Sequence, residues 1–129
     1  MLIPAAPLLR SVCGMELIEQ YLTIWNETDP TARRALIELV WAPDATYTDP
    51  LAQVAGRDQL DAVVSAVQQQ FPGLVFRLAG PVDAHHDVAR FTWHLGGPGA
   101  EPLVIGFDVA VIRDGRVTAV HGFLDRVPS

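Results

Sequence analysis

The apolar residues of this 129-residue chain change period at Pro72-Gly73, and no other feature limits the fold as strongly. Upstream they recur every three or four residues, the spacing of one helical face; downstream they alternate, as on a strand with one buried side. A chain that is helical first and extended afterwards has to stack its helices on a sheet, so the fold class is α+β.

Leu17, Ile18, Tyr21, Leu22 and Trp25 mark a first helix over Glu16 to Asn26, with Tyr21 and Trp25 one turn apart on its buried face. Asp29-Pro30 opens a second, because the aspartate can cap it and a proline is harmless in a first turn. Leu36, Ile37, Val40 and Trp41 form its apolar stripe, and Pro43 stops it. Ala45 to Asp49 reads as a short extended segment, since Pro50 disfavours helical geometry before it. After Gly56 a third helix carries Leu60, Val63, Val64, Val67 and Phe71. Four strand-like runs follow: Leu74 to Leu78, Val88 to Leu95, Leu103 to Ile112 and Val117 to Leu124. They are separated by Gly80-Pro81, Gly96-Gly97-Pro98-Gly99 and Asp114-Gly115, connections short enough to imply an antiparallel meander.

Residues 1–14 read as a loosely ordered N-terminal arm, with a signal peptide as the alternative, and residues 15–129 as a single domain. The 15 acidic residues outnumber the 9 basic ones, a balance that repels nucleic acid and anionic membrane surfaces. No apolar run approaches the length of a membrane span. The lone Cys13 cannot form an internal disulfide, which fits a reducing compartment and a cytoplasmic location.

Along the second long strand, Arg90, Thr92 and His94 alternate with Phe91, Trp93 and Leu95, so one face is wet and the other apolar. The next strand is apolar on both faces: Ile105, Phe107, Val109 and Val111 on one, Val104, Ala110 and Ile112 on the other. One face can pack on the helices. The outer one then calls for a second subunit, and a homodimer is the simplest answer.

Asp108 interrupts that run, in VIGFDVAVI, where aspartate is depleted. It either faces water or pairs with an arginine such as Arg90, or it points into an apolar cavity where desolvation keeps it protonated as a hydrogen-bond donor. Asp49, before Pro50, is a turn residue or its partner in such a cavity. Tyr21 is a core phenol or a donor. Trp25, Tyr47, Phe91 and Trp93 are core, or the substrate-binding wall of a site for a planar apolar molecule. In the last hairpin a two-residue Asp114-Gly115 turn would set His121 opposite Asp108, whereas a three-residue loop with a glycine bulge would set Val120 there; the bulged form is expected, with Val120 as the pocket residue. His85, His86 and His94 lack metal-ligand spacing, and there is no nucleophile elbow, phosphate loop or dinucleotide fingerprint, so neither metal nor cofactor is expected.

The segments YLTIWN around Tyr21, ATYTDP ending at Asp49-Pro50, GFD at Asp108 and DGRV followed by GFLD carry a resemblance. From about Glu16 to Asp125 the chain resembles the nuclear transport factor 2-like superfamily, and within it the SnoaL-like polyketide cyclase and ketosteroid isomerase group. The resemblance implies a cone-shaped fold, with three N-terminal helices packed on a curved antiparallel sheet enclosing an apolar pocket. Carried over from ketosteroid isomerase, Asp49 corresponds to the general base, and Tyr21 and Asp108 to the two oxyanion donors. The stretch between Tyr21 and Asp49 is longer than in that isomerase, and Tyr47 is the only other tyrosine. An Asp-Arg-Asp hydrolase set is broken by Thr92. The expected activity is therefore proton transfer next to a carbonyl of a small apolar molecule, as in an isomerase or a cyclase. The alternatives are a non-catalytic protein that binds such a ligand and a dimerising module whose cavity is filled by side chains.

Overall fold

The computed structural model describes residues 5–128, with side chains from Met15 onward. The first helix, α1 (Ala5–Asn26), buries Tyr21 and Trp25 as the spacing requires, but its backbone begins upstream of Glu16, within the segment expected as an arm. Residues 1–4 of that segment lie outside the described residues. Asp29 caps α2 (Pro30–Val40), its carboxylate accepting the Ala32 N–H at 2.9 Å. The helix ends at Val40, so Trp41 does not extend its apolar stripe; it opens β1 (Trp41–Thr48), fully buried and stacked on Tyr21 with ring centres 6.0 Å apart. Pro43 lies inside this strand, between Trp41 and Thr46, where strand pairing is interrupted and a missing N–H removes no ladder bond.

A three-residue strand, β2 (Gln53–Ala55), pairs back on β1 and leads into α3 (Arg57–Gln70). It is too short to show a period in the sequence. Then come β3 (Val75–His85), β4 (Val88–Gly96), β5 (Val104–Arg113) and β6 (Arg116–Arg126). β3 does not end at Leu78 but runs through Gly80-Pro81 with a break in register between Ala79 and Asp83. It is an edge strand, where proline costs no pairing, and Gly80 takes the positive φ of 88° that the irregularity needs.

The sheet order is β2-β1-β6-β5-β4-β3. β3 to β6 form the expected antiparallel meander, but β1 lies parallel to β6, so the six-stranded sheet is mixed rather than antiparallel. The Asp114-Gly115 turn has two residues, both at positive φ, not the expected three-residue loop. The irregularity sits instead within the strand: Ile112 pairs with Val117 but Val111 with Ala119, leaving Thr118 as the extra residue. From there on the register is displaced by one. Val120 faces inward opposite Ala110, Gly122 faces Asp108, and His121 turns outward.

The inner sheet face, with Ala89, Phe91, Leu95, Val104, Ala110 and Val120, is buried beneath the helices. The outer face, with Ile105, Phe107, Val109 and Val111, is half-buried. Two polar devices fix the helices over the inner face. At the end of α1 the Asn26 side chain donates to the Phe76 carbonyl and accepts the Phe76 N–H, both at 2.8 Å, standing in for a further strand on the β3 edge. Between the helices Arg33, 6% exposed, donates to Asp61 at 2.6 Å, to Gln68 Oε1 at 3.0 Å and to the Glu27 carbonyl at 3.1 Å. Gln68 in turn donates to the Trp25 and Glu27 carbonyls, so α1, α2 and α3 are joined at one end. Removing the cation would strand Asp61 and the Gln68 side-chain oxygen. Arg33→Ala is expected to lose about 3 kcal/mol in urea unfolding, whereas Arg34→Ala, whose ion pairs are surface-exposed, changes stability by less than about 1 kcal/mol.

Candidate active site

A cavity of about 580 Å³ opens between the helices and the concave sheet face. α1 supplies Leu22 and Trp25, the end of α3 supplies Phe71, and β3, β4 and β5 supply Phe76, Trp93 and Asp108; Tyr47 and Asp49 come from β1 and the turn after it. Trp25 meets Tyr47 and Phe76 at 5.6 Å between ring centres, and Phe76 meets Trp93 at 5.2 Å, so the aromatic side chains form one continuous arc. Among the described lining residues the only charged ones are Asp49 and Asp108.

Asp49 is held by the turn it makes. Its Oδ1 accepts the N–H groups of Leu51 and Ala52, each at 2.8 Å, and its Oδ2 accepts the Tyr47 hydroxyl at 2.6 Å. The sequence D-P-L-A is built for this: proline at the second position pre-sets the bend, and the aspartate side chain closes it. One edge of the carboxylate is thereby aimed at the cavity with both oxygens acting as acceptors.

Asp108 has no such support. It is 4% exposed and, among the described residues, pairs with no arginine; Arg90 lies on the outer face and meets Asp83 at 3.1 Å. Burial is the main reason its carboxyl is pushed up from an ordinary 3.8 to about 7, the Trp93 indole draws it back as a hydrogen-bond donor, and the negative charge of Asp49 raises it further. The Trp93 ring can lie there because residue 106 is glycine: a Cβ at that position would fall 2.0 Å from the indole. Near neutral pH Asp108 can therefore give or take a proton, while Asp49 offers a fixed acceptor.

Of the residues singled out in the sequence, Asp49, Asp108, Trp25, Tyr47 and Trp93 line this cavity. Tyr21, Phe91 and Val120 do not. They are fully buried behind its wall, where Tyr21 meets Trp25, Trp41 and Phe91 ring to ring at 6.0–6.3 Å. The Tyr21 hydroxyl has no hydrogen-bond partner. Burial, and then the charge of Asp108, hold its phenol well above the ordinary range, and the nearby Trp25 side chain opposes this without good hydrogen-bond geometry. Tyr47 is likewise raised, mainly by burial, and so stays a donor to Asp49. That bond, from a residue read only as wall, was missed; the i, i+2 spacing of Tyr47 and Asp49 on an extended segment was its one signal. Phe76 and Gly122 were also missed, since nothing local separates either from ordinary strand and turn residues.

The elevated Asp108 carboxyl makes stability depend on pH. Between 3.8 and about 7 the unfolded chain has released this proton and the folded chain retains it. Stability therefore falls as pH rises through that window, by on the order of 4 kcal/mol from this group. Asp108→Asn is expected to leave stability near pH 4 little changed and to raise it at pH 8, as read from urea unfolding at the two pH values; an equal effect at both would remove the buried acid from the account.

The comparisons with known proteins agree with this architecture. Residues 18–120 match the family model described as a SnoaL-like domain. The chain is similar to the crystal structure of a candidate isomerase of the SnoaL-like family from Agrobacterium tumefaciens, with 38% identity, a TM-score of 0.83, and coverage of 88% of this chain and 98% of that one. A candidate ketosteroid isomerase from Kribbella flavida superposes with a TM-score of 0.69 at 19% identity, over 92% of this chain and 82% of that one. A candidate polyketide cyclase from Sinorhizobium meliloti does so at 0.66 and 19%, over 83% and 93%; these two show the fold alone. No curated protein matches the chain. With a family model spanning most of its length and a relative of more than one-third identity aligned nearly end to end, this chain belongs to the SnoaL-like family within the nuclear transport factor 2-like fold.

Proposed function

We propose that the cavity is the active site of a cofactor-independent enzyme that moves a proton next to a carbonyl of an apolar substrate. One observation carries this reading: a carboxylate fixed as an acceptor and a buried carboxyl raised to about 7 share one aromatic-walled cavity. Asp49 removes the acidic C–H proton through the free edge of its carboxylate. The electron pair moves onto the carbonyl oxygen as the enolate forms, and neutral Asp108 hydrogen-bonds that oxygen where the charge develops. In an isomerisation Asp49 returns the proton to another carbon; in a cyclisation the enolate carbon attacks a second carbonyl carbon of the same molecule and forms a ring bond, the enolate oxygen reverts to a carbonyl, the π pair of the attacked C=O moves onto its own oxygen, and that oxygen takes up the proton held by Asp49. Tyr21, buried behind the wall, acts on the pair through its position beside Asp108 rather than by touching substrate. The aromatic arc supplies most of the binding.

With a β,γ-unsaturated ketone such as 3-cyclohexenone in heavy water, the wild type is expected to introduce deuterium at the α carbon, at a rate that declines above about pH 7 as Asp108 ionises. Asp49→Asn lowers that rate by roughly 100-fold or more. Ligand binding with no exchange under any condition would assign the protein instead to the non-catalytic alternative.

The outer sheet face supports assembly as a homodimer. Phe123, 56% exposed, stands opposite Phe107, which lies between Ile105 and Val109 in an apolar stripe along β5 that Arg90, Thr92 and His94 flank on β4 and His121 on β6. Sedimentation is expected to give a dimer that Phe123→Glu converts to monomer; a wild-type monomer at high micromolar concentration would refute this.

A further inference from the structure

Gly122 stands directly across from Asp108 on β6, and a Cβ there would lie 2.9 Å from Asp108 Oδ1, 3.3 Å from the Asp49 Cβ and 3.7 Å from the Thr48 carbonyl oxygen. The first of these is closer than side-chain carbons and oxygens come, and neither neighbour can withdraw freely. Asp49 is tied down by three hydrogen bonds, and Asp108 is buried among packed rings. The two acids therefore converge on the space that a side chain at position 122 would fill. Thr118 is what brings this glycine there, because without the extra residue in β6 the residue opposite Asp108 would be His121.

We propose that Gly122 is a positioning residue for the reaction: its missing side chain leaves room for the Asp108 carboxyl and the Asp49 side-chain stem on either side of β6, so that acceptor and donor reach the same substrate molecule. This rests on the proton-transfer reading of the cavity, and it adds a requirement that the acids alone do not state. Their separation is set by a third strand that carries no chemistry of its own. Around Asp108, α1 contributes Tyr21, β1 and its turn contribute Tyr47 and Asp49, β4 contributes Trp93, and β6 contributes the bare glycine, while α3 brings no titratable side chain to the cavity wall. Of these only Asp49 carries a charge that opposes ionisation of Asp108 at neutral pH, so moving the acids apart eases that ionisation.

The test is Gly122→Ala, read in two ways. By NMR of the side-chain carboxyl carbons, the Asp108 titration is expected to move down relative to wild type. In turnover, kcat is expected to fall at least tenfold with KM changed less than threefold, and the alkaline limb of the pH profile moves down with the NMR titration. In an Asp108→Asn background the same alanine should cost little further turnover, because the partner it displaces is already gone. A folded Gly122→Ala protein with wild-type titration of Asp108 would overturn the proposal, and so would an equal loss of turnover in the Asp108→Asn background. Absence of turnover in the wild type would refute the enzymatic reading itself, and the carboxyl titration would still decide whether Gly122 sets the spacing of the acids.

Discussion

A carboxyl group buried in an apolar cavity, with no cation among the described residues to answer it, is the constraint around which this molecule is arranged. Ionising Asp108 would place a charge in a poorly solvating environment that also feels the negative charge of Asp49, and the group responds by retaining its proton to about pH 7. Everything nearby adapts to this. The Trp93 ring lies where it does only because Gly106 leaves room for it, and Asp108 and the Asp49 side-chain stem crowd the space that a side chain at Gly122 would fill. Asp49 keeps to the other role because the turn it closes surrounds it with donors.

Such a site needs a frame that keeps water out while leaving an entrance. Asn26 fastens the end of α1 to the edge of the sheet at Phe76, the residue that joins Trp25 to Trp93 in the cavity wall. The Arg33, Asp61 and Gln68 cluster fixes the same end of α1 against the other two helices and takes up the carbonyls that the helix end leaves free. These polar contacts lie outside the cavity. Their effect is to hold its aromatic wall, so stability and chemistry are kept in separate parts of the fold.

The family relationship explains the frame more than the reaction. Two of the structures that resemble this chain are described as a candidate ketosteroid isomerase and a candidate polyketide cyclase, and at 19% identity they show the fold alone. What argues for proton transfer is local to this chain: a fixed acceptor and a proton-bearing partner in one apolar cavity. The same cone with either acid replaced would still hold an apolar ligand.

Much of the fold was legible in the residues. The helical spacing of Leu17 to Trp25 and of Leu60 to Phe71, the Asp29-Pro30 cap and the alternation around Phe91 to Leu95 are local signals, decided within a turn of helix or a few residues of strand. The odd aspartates at 49 and 108 were visible for the same reason, as polar residues in apolar surroundings. What lay beyond local reading was every relation between distant segments. The parallel pairing of β1 with β6 joins residues some seventy positions apart in the chain. Whether Val120 or His121 looked inward turned on one extra residue in β6, which flips every later side chain to the other face. Tyr21, on the buried face of its helix, could not be assigned to the cavity or to the core behind it, because helical period gives direction and not depth. The sequence by itself thus determined which residues would be buried and which of them were chemically out of place. Only the tertiary structure decided which of those stand next to each other, because strand register and the packing of rings are properties of contacts that no single segment contains.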